Sequence, residues 1–152
     1  MDASAVIVEA HAELERLFAA YEGADGGATA RVRIFDAIAC ALGVHETVEG
    51  DLLYPALQAQ TSRYDGDIRR QLEQAHLLDL LAVELAAMVP ADPRYDAKVQ
   101  VLQQLFRLHV RDEEALILPE VRRRLSPSDR EQLGRSLLER TRQLTNRPRG
   151  GW

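Results

Sequence analysis

The sequence predicts an all-α protein, an up-down-up-down four-helix bundle with an additional short C-terminal helix. Four long stretches carry apolar residues at the three-, four- and seven-residue spacing of amphipathic helices. Short segments rich in glycine, proline or polar residues separate these stretches. Alanine, leucine, glutamate and arginine are abundant and aromatic residues make up only 5% of the 152 residues, a composition that favours helices. Long helices with short connections pack as antiparallel neighbours in such a bundle.

The first two helices are predicted in the N-terminal half. Ser4 is the expected N-cap of a helix that runs to about Tyr21 and carries His11 within its apolar stripe. Several glycines then mark a loop. A second helix is expected from about Thr29, and Pro55 within it predicts a kink, or a break and restart.

The third and fourth helices follow a polar loop. The third is expected from about Asp67 to Met88, and the fourth begins with Asp92 as N-cap and Pro93 at its first position. The predicted inward face of the third helix comprises Ile68, Leu72, Ala75, His76, Val83 and Ala87. The predicted inward face of the fourth comprises Val101, Leu102, Leu105, His109, Glu113 and Leu116.

The C-terminal part is predicted as a short fifth helix that opens at the Ser-Pro-Ser-Asp stretch of residues 126–129 and ends near Leu144. We expect its seam of Leu133, Leu137, Thr141 and Leu144 to pack on the bundle rather than to form a dimer contact. The domain organisation expected is therefore a bundle over residues 1–125, with residues 126–152 forming the extra helix and a loose tail from residue 146.

Net charge and cysteine content limit the partners and the cellular compartment that are expected for this protein. The net charge of −5 and a pI near 5.4 argue against general binding to nucleic acid or to an anionic membrane. No apolar run approaches the length of a transmembrane helix, and the N-terminus lacks the features of a secretory signal. Because Cys40 is alone, no internal disulfide forms, and we expect a cytoplasmic location. We expect the protein to be a monomer or a homodimer.

One motif occurs twice: a histidine followed four residues later by a glutamate, in His45-x-x-x-Glu49 and His109-x-x-x-Glu113. A proline lies ten residues after each of these histidines. Residues four apart lie on the same face of a helix, so an imidazole and a carboxylate point at one object. Two such pairs on facing helices are a candidate site for two metal ions.

The four histidines fall on the apolar stripes of four different helices, at His11, His45, His76 and His109. A single histidine on such a stripe is more often a satisfied core residue than a metal ligand, but four of four are not explained in that way. The two glutamates also point into the predicted interior, where an unpaired charge is costly. No lysine or arginine on the stripes offers itself as a partner, which indicates a buried cation.

Mixed imidazole and carboxylate ligands without thiolate suit iron, manganese or zinc. A structural zinc site is closed with four ligands, fewer than the six side chains available here. Two ions bridged by two carboxylates fit the set better. The alternative is a purely structural bundle with buried histidines and no metal.

Residues 5–122 resemble the hemerythrin-like domain, also called the HHE cation-binding domain. The resemblance rests on His11, His45-x-x-x-Glu49 with Leu53-Tyr54-Pro55, His76, and His109-x-x-x-Glu113 with Leu118-Pro119. The additional C-terminal helix is similar to that of the actinobacterial branch. The resemblance implies two iron ions, the first held by His11 and His45 and the second by His76 and His109. It also implies that the two glutamates bridge the irons together with an oxo or hydroxo group.

One position departs from the oxygen-carrying members of the family, which have a further histidine one turn after the one that matches His76. Leu80 stands there and cannot bind a metal, so each iron is expected to keep an open position. Glu73 and Asp79 flank His76 and are candidate additional ligands, although we favour solvated surface positions for both. Tyr54 is interpreted as a packing residue, because about half a turn separates it from His45.

The leading hypothesis for function is a non-haem di-iron protein that binds or reacts with small oxidants such as oxygen and hydrogen peroxide. A catalase-like disproportionation, in an oxidative-stress role, is its enzymatic version. The alternative is a non-enzymatic protein that binds or senses iron, oxygen or nitric oxide, in which the C-terminal helix is the responding element.

Overall fold

Two interrupted helical rods and two uninterrupted helices form the bundle in a computed structural model, which describes residues 1–147. Residues 148–152, most of the predicted loose tail, lie outside the described residues. The α-helices are α1 (Ala3–Glu22), α2 (Gly27–Val48), α3 (Tyr54–Gln58), α4 (Asp65–Ala86), α5 (Tyr95–Asp112), α6 (Leu118–Arg124) and α7 (Pro127–Thr145). Two π-helical turns, π1 (Glu49–Leu53) and π2 (Glu113–Ile117), join α2 to α3 and α5 to α6.

The predicted fold class is confirmed. The first rod consists of α2, π1 and α3 and the second of α5, π2 and α6, so α1, the two rods and α4 make the four members of the bundle. No strand occurs within residues 1–147. None of the helices described has the length and apolar content needed to cross a membrane.

The N-cap residues of α1 and α5 differ from the sequence-based expectation. Asp2, rather than Ser4, caps α1, and its carboxylate accepts a hydrogen bond of 2.9 Å from the backbone N–H of Ser4. The α5 helix begins at Tyr95, because the Asp92 carboxylate accepts from the backbone N–H of Arg94 and holds the chain in a turn before the helix. Both residues can cap locally, and the sequence alone does not determine which turn they close.

The inward face of α4 was predicted correctly at Ile68 and wrongly over most of its length. Its buried residues are Ile68, Gln71, Leu78 and Leu85, whereas Leu72 and Val83 are exposed. Residues two apart on a helix are separated by about 200° of rotation, so a helix that buries Leu78 turns His76 outward. The apolar residues of α4 form two overlapping stripes, and the sequence is compatible with burial of either stripe. Packing against α5 and α2 determines which one is buried.

The inward face of α5 was predicted only in part. Leu102, His109 and Glu113 are buried as expected, whereas Val101 and Leu116 are exposed. Phe106, which the predicted face omitted, is completely buried. Removing a buried phenylalanine side chain costs about 3–5 kcal/mol, so this ring is a major part of the core.

The apolar core consists of two clusters. The first gathers residues near the N-terminus of α1 and the two π turns, including Ile7, Leu53 and Ile117. The second lies around Phe18 and Phe106. Along α1, α2 and α5, the residues between the two clusters are the histidines and glutamates of the predicted site. The interior is therefore apolar, then polar, then apolar along the bundle axis.

The C-terminal helix α7 packs against α1, α2 and π1. Leu133 and Leu137 of its predicted seam are buried in the first apolar cluster, and Leu144 packs at the edge of that cluster. The division of the chain into units at residue 125 stays a prediction, since the packing joins α7 closely to the bundle.

The N-terminus of the chain passes directly over Gly134 of α7. A Cβ atom placed on Gly134 would lie 2.0 Å from the carbonyl oxygen of Met1, a distance that requires the backbone to move. Arg130, one turn earlier, holds the same segment through an ion pair of 3.0 Å with Asp2. Glycine at residue 134 is therefore required by close approach of two backbones.

We expect Gly134→Ala to lower the free energy of unfolding by about 1–3 kcal/mol, because the added methyl group overpacks this contact. The matched control is Gly43→Ala in the middle of α2, where a Cβ would meet no atom within 4 Å. That change should raise stability by about 0.5–1 kcal/mol through helix propensity. Urea unfolding followed by circular dichroism measures both, and a neutral Gly134→Ala variant would contradict the contact.

Candidate metal centre

Five predicted ligands from three parts of the bundle meet in its interior. His11, His45, Glu49 and Glu113 each present a ligand atom, and these atoms lie within 4.8 Å of one another. The side chain of His109 adjoins them and, like the other four, is at most 3% exposed. The first comes from α1, two from the α2 rod and two from the α5 rod. The structure thus brings together five of the six predicted residues.

The Nε2 atoms of the three histidines converge on the two carboxylates. Glu49 lies at the centre: its Oε1 is 2.6 Å from His45 Nε2 and its Oε2 is 3.2 Å from His109 Nε2. Glu113 Oε2 is 3.1 Å from His11 Nε2 and 3.8 Å from His109 Nε2. Each carboxylate therefore contacts histidines of two different helices, which is the geometry that a bridging ligand requires.

Each of the two glutamates begins a π-helical turn. The backbone N–H of Tyr54 bonds to the carbonyl of Glu49, and that of Leu118 bonds to the carbonyl of Glu113, five residues apart in both cases. A proline then follows six residues after each glutamate, where the missing N–H interrupts the α-helical ladder. Single π turns inside α-helices occur frequently at functional sites. The predicted kink at Pro55 takes this form.

Tyr54 belongs to the site, which corrects its interpretation as a packing residue. Its hydroxyl donates a hydrogen bond of 3.2 Å to Glu49 Oε2, and its ring is buried. The wider π turn changes the rotation between residues 49 and 54, and an α-helical projection could not show this. Burial and the charges of both glutamates raise the pKa of Tyr54 far above its ordinary value, so the phenol stays a donor.

Glu114, which the sequence reasoning missed, orients His11. The Nδ1–H of His11 donates to Glu114 Oε1 over 2.8 Å, while Nε2 faces the cluster. The Glu114 side chain is 40% exposed. Metal-binding histidines typically donate their second ring N–H to a carboxylate, which fixes the tautomer and the ring orientation. A second acidic residue directly after Glu113 was the available signal.

Phe106 shields the histidines on the side of the second apolar cluster. Its ring centroid lies 6.1 Å from that of His11 and 6.4 Å from that of His45, both edge to face. The residue lies one turn before His109, and this spacing was its sequence signal. The ring excludes water from one side of the cluster.

Several buried atoms of the cluster lack a hydrogen-bond partner among the described residues. They include Nδ1 of His45, Nδ1 of His109 and Oε1 of Glu113, and also His45 Nε2 and Glu49 Oε1, which lie 2.6 Å apart without the alignment of a hydrogen bond. Buried polar atoms without partners are costly, and their concentration in one place indicates that something else satisfies them. Imidazole nitrogen and carboxylate oxygen without thiolate suit a divalent first-row metal. The residues present therefore fit a metal centre.

Electrostatics within the cluster place protons where metal ions would supply positive charge. Burial lowers the pKa of His11, but hydrogen bonds with Glu113 and Glu49 outweigh this effect and raise the pKa to about 10. Burial opposes ionisation of Glu49, yet its histidine neighbours hold its pKa well below 4.5. Burial and the negative charge of Glu49 raise the pKa of Glu113 to about 7.

Among the other titratable groups of the cluster, some pKa values are raised and one is lowered. Burial lowers the pKa of His45. Burial also opposes the charge on His109, but its hydrogen bond with Glu49 prevails and raises that pKa. Glu46, on α2 beside the cluster, has its pKa raised to about 8 by burial and by the charge of Asp79.

His76 is the sixth predicted ligand, and the structure does not bring it into the cluster. Its side chain is exposed on α4, contrary to the expected inward orientation. Leu80, one turn later, is exposed on the same helix, as are Glu73 and Asp79. Gln71 is the buried polar residue that α4 places between the two apolar clusters. The role of His76 as a ligand stays a prediction.

The fold and the site together define a helical bundle with a buried histidine–carboxylate cluster of a kind that holds metal. The model of the Hemerythrin HHE cation binding domain matches residues 2–121. The chain therefore belongs to the hemerythrin HHE cation-binding domain family, as the sequence motifs predicted.

A solved structure supports the fold. The crystal structure of a hemerythrin HHE cation binding domain-containing protein from Mycobacterium kansasii superposes with a TM-score of 0.82 at 24% identity. The alignment covers 95% of this chain and 87% of that protein, so it includes the C-terminal helix. No curated protein matches the chain.

We expect the metal-free protein to lose stability as the pH rises from about 4.5 to about 10. His11 and Glu113, with raised pKa values, bind protons in the folded state that the unfolded chain releases in this range, so stability falls with pH. Glu46 and His109 act in the same direction, whereas His45 opposes them below pH 6.5 and Glu49, with its lowered pKa, opposes them at the acid end of the range.

Thermal unfolding of chelator-treated protein across this pH range measures the effect. Glu113→Gln removes one of the titrating groups and should flatten the curve between about pH 5 and 7. A wild-type melting temperature that rises over the whole range would contradict the proton occupancy inferred here.

Proposed function

We propose that this protein holds a di-iron centre in its bundle core and binds or reacts with small oxidants, chiefly oxygen and hydrogen peroxide. The observation that carries the proposal is the convergence of three histidine Nε2 atoms on Glu49 and Glu113 in a dry interior. Family membership supports metal binding. The identity of the metal as iron and the number of two ions are parts of the proposal.

Different side chains would bind each of the two ions. His11 and His45 would bind one iron, His109 would bind the other, and the two glutamates would lie between them. Tyr54 holds the Glu49 carboxylate in orientation through its hydroxyl. Iron, when bound, supplies redox chemistry toward oxygen and peroxide. The π turns would place the two carboxylates on which both metal positions depend.

The surroundings favour small reactants at the metal positions themselves. Phe106 and the two apolar clusters close the core around the ligand atoms. No bulky organic substrate fits between the two carboxylates, whose oxygens contact the same imidazoles. Oxygen, hydrogen peroxide and nitric oxide are small enough to enter.

His76 is the remaining residue of the proposed ligand set, but its side chain is exposed and lies outside the cluster. Rotation about χ angles alone does not carry a side chain across a helix, so ligation by His76 requires α4 to turn in the bundle. Gln71, which α4 buries, and the half-buried Gln74 have buried carbonyl oxygens without partners among the described residues. These side chains are therefore only partly satisfied in the present arrangement, which lowers the cost of turning the helix.

We expect the wild-type protein to retain two iron ions per chain and His76→Ala to retain about one. Glu131→Ala, at an exposed position of α7, is the matched control and should retain two. Anaerobic loading with Fe(II), desalting and elemental analysis measure the ratio. Two ions retained by His76→Ala would remove His76 from the ligand set, and no iron in the wild type would overturn the centre itself.

A second candidate function is a non-enzymatic sensor or binder of iron, oxygen or nitric oxide. The observation that favours it is the contact between α7 and π1, the turn that begins with Glu49. Arg140 of α7 lies 3.3 Å from Asp51 in that turn. A change in the position of Glu49 on ligand binding would reach α7 directly. A cytoplasmic location and a monomeric or dimeric state stay predictions under both functions.

One experiment separates the two functions. Iron-loaded protein treated with hydrogen peroxide should evolve oxygen at a rate at least tenfold above that of Glu113→Ala, which loses a bridging carboxylate. Glu131→Ala removes an exposed carboxylate and should behave as wild type. Oxygen evolution is followed with an electrode.

Hydrogen exchange of α7 is compared in the metal-free and loaded forms of the same samples. Absence of oxygen evolution contradicts the enzymatic version. If slower exchange in α7 accompanies that absence, the sensor is favoured.

A further inference from the structure

A cavity of about 420 Å³ opens between α1, α2 and the last turn of α7. Exposed residues at its outer side include Glu13, Cys40 and Thr145, and buried residues at its inner side include His45 and Val48. Most of the lining is aliphatic. An apolar group would therefore replace water in this cavity at favourable free energy.

The cavity is the part of the groove between α1 and α2 that α7 leaves unfilled. The α7 helix runs alongside α1 in the same direction, with Gly134 beside Met1 and Thr145 at the cavity. Its seam fills the groove with the completely buried Leu137, but the next seam residue is Thr141, which lines the cavity. A threonine side chain is shorter than a leucine side chain, and α7 ends at Thr145. The groove is therefore left open at the level where the helix ends.

The sequence that follows α7 has the composition that this open groove requires. The described part of the chain reaches Arg147, two residues after the helix, and the next five residues are Pro-Arg-Gly-Gly-Trp. Pro148 has no N–H group for a helical hydrogen bond and disfavours continuation of the helix. The two glycines after Arg149 permit a reversal of direction that other residues resist. Trp152, the only tryptophan of the chain, supplies a large apolar side chain.

We propose that residues 148–152 fold back into this cavity and that the indole of Trp152 lies between α1 and α2 against the aliphatic walls. This occupant is covalently joined to Thr145 in the cavity wall, so its effective concentration there exceeds that of a free molecule. Five residues span up to about 17 Å. The lining of α1 from Val6 to Leu14 is only about 12 Å long, so Trp152 can reach every part of it.

Charges at the outer side of the cavity suit this segment. The carboxylate of Glu13 lies there, and its ion pair with Arg16 leaves both side chains more than half exposed. Exposed ion pairs of this kind are weak, so the carboxylate can also attract another cation. Arg147 and Arg149 bring two positive charges to the same place. The docked segment would close the cavity, and this consequence does not depend on the proposed metal centre.

The intrinsic fluorescence of the metal-free protein tests the proposal, because Trp152 is its only tryptophan. We expect an emission maximum blue-shifted from that of N-acetyltryptophanamide and acrylamide quenching at least fivefold slower than that of this free compound. An emission maximum and a quenching rate equal to those of the free compound would overturn the proposal. A blue shift that grows with protein concentration would also overturn it, because the indole would then dock on a second copy.

Cavity-filling variants locate the indole. Ala41→Phe and Ala10→Phe each fill the cavity from a different helix, and both should shift the emission to the red and speed quenching at least threefold. Ala20→Phe, at an exposed position of α1 away from the cavity, is the matched control and should behave as wild type. A protected indole that neither cavity-filling variant displaces would lie elsewhere and would overturn the proposal.

A second readout uses changes outside the bundle, which leave its folding intact. Cys40 is exposed at the outer side of the cavity, and the docked segment would cover it. Alkylation of Cys40 by iodoacetamide should therefore be at least threefold faster in a chain that stops after Arg147 and in Trp152→Ala. Trp152→Phe keeps an aromatic ring and should retain most of the protection. Equal alkylation rates in all four proteins would overturn the proposal.

Discussion

Two carboxylates buried side by side are the constraint on which the rest of this structure depends. Glu49 and Glu113 lie in the core at no more than 1% exposure, and no lysine or arginine pairs with either of them in the described residues. An isolated buried carboxylate costs several kcal/mol, so compensating positive charge has to be present. Imidazoles supply it by holding protons, and metal ions replace those protons when they bind. The apolar clusters on both sides of the histidines and glutamates exclude water as an alternative partner. The two carboxylates therefore depend on this positive charge.

The three imidazoles differ in whether a carboxylate fixes their second ring nitrogen. His11 is fixed on its second nitrogen by Glu114, which is partly open to solvent. His45 and His109 have no equivalent partner among residues 1–147. Two metal positions built on such supports would differ in ligand basicity and in their surroundings, so the two ions of a dinuclear site would not be equivalent.

The sequence predicted the bundle, its extra helix and five residues of the cluster, because apolar spacing and the two His-x-x-x-Glu motifs carry that information directly. It did not predict the inward face of α4, where two apolar stripes overlap and only packing against neighbouring helices decides between Leu72 and Leu78. It also missed Tyr54, since no residue pattern before Pro55 distinguishes a π turn from a simple kink. Glu114 was missed because an exposed charge beside a ligand has the appearance of ordinary surface.

The π turns give the chain a requirement of length as well as of residue type. Each turn accommodates one residue more than an α-helical path of equal rotation. If the same number of residues formed a regular α-helix, everything beyond the turn would rotate by about 100° relative to the glutamate. In the first rod, Tyr54 would then leave the carboxylate that it now contacts. When this chain is aligned with other sequences, a one-residue gap between Glu49 and Pro55 would therefore mark a regular helix in place of the π turn, with the tyrosine before the proline kept at about the same place.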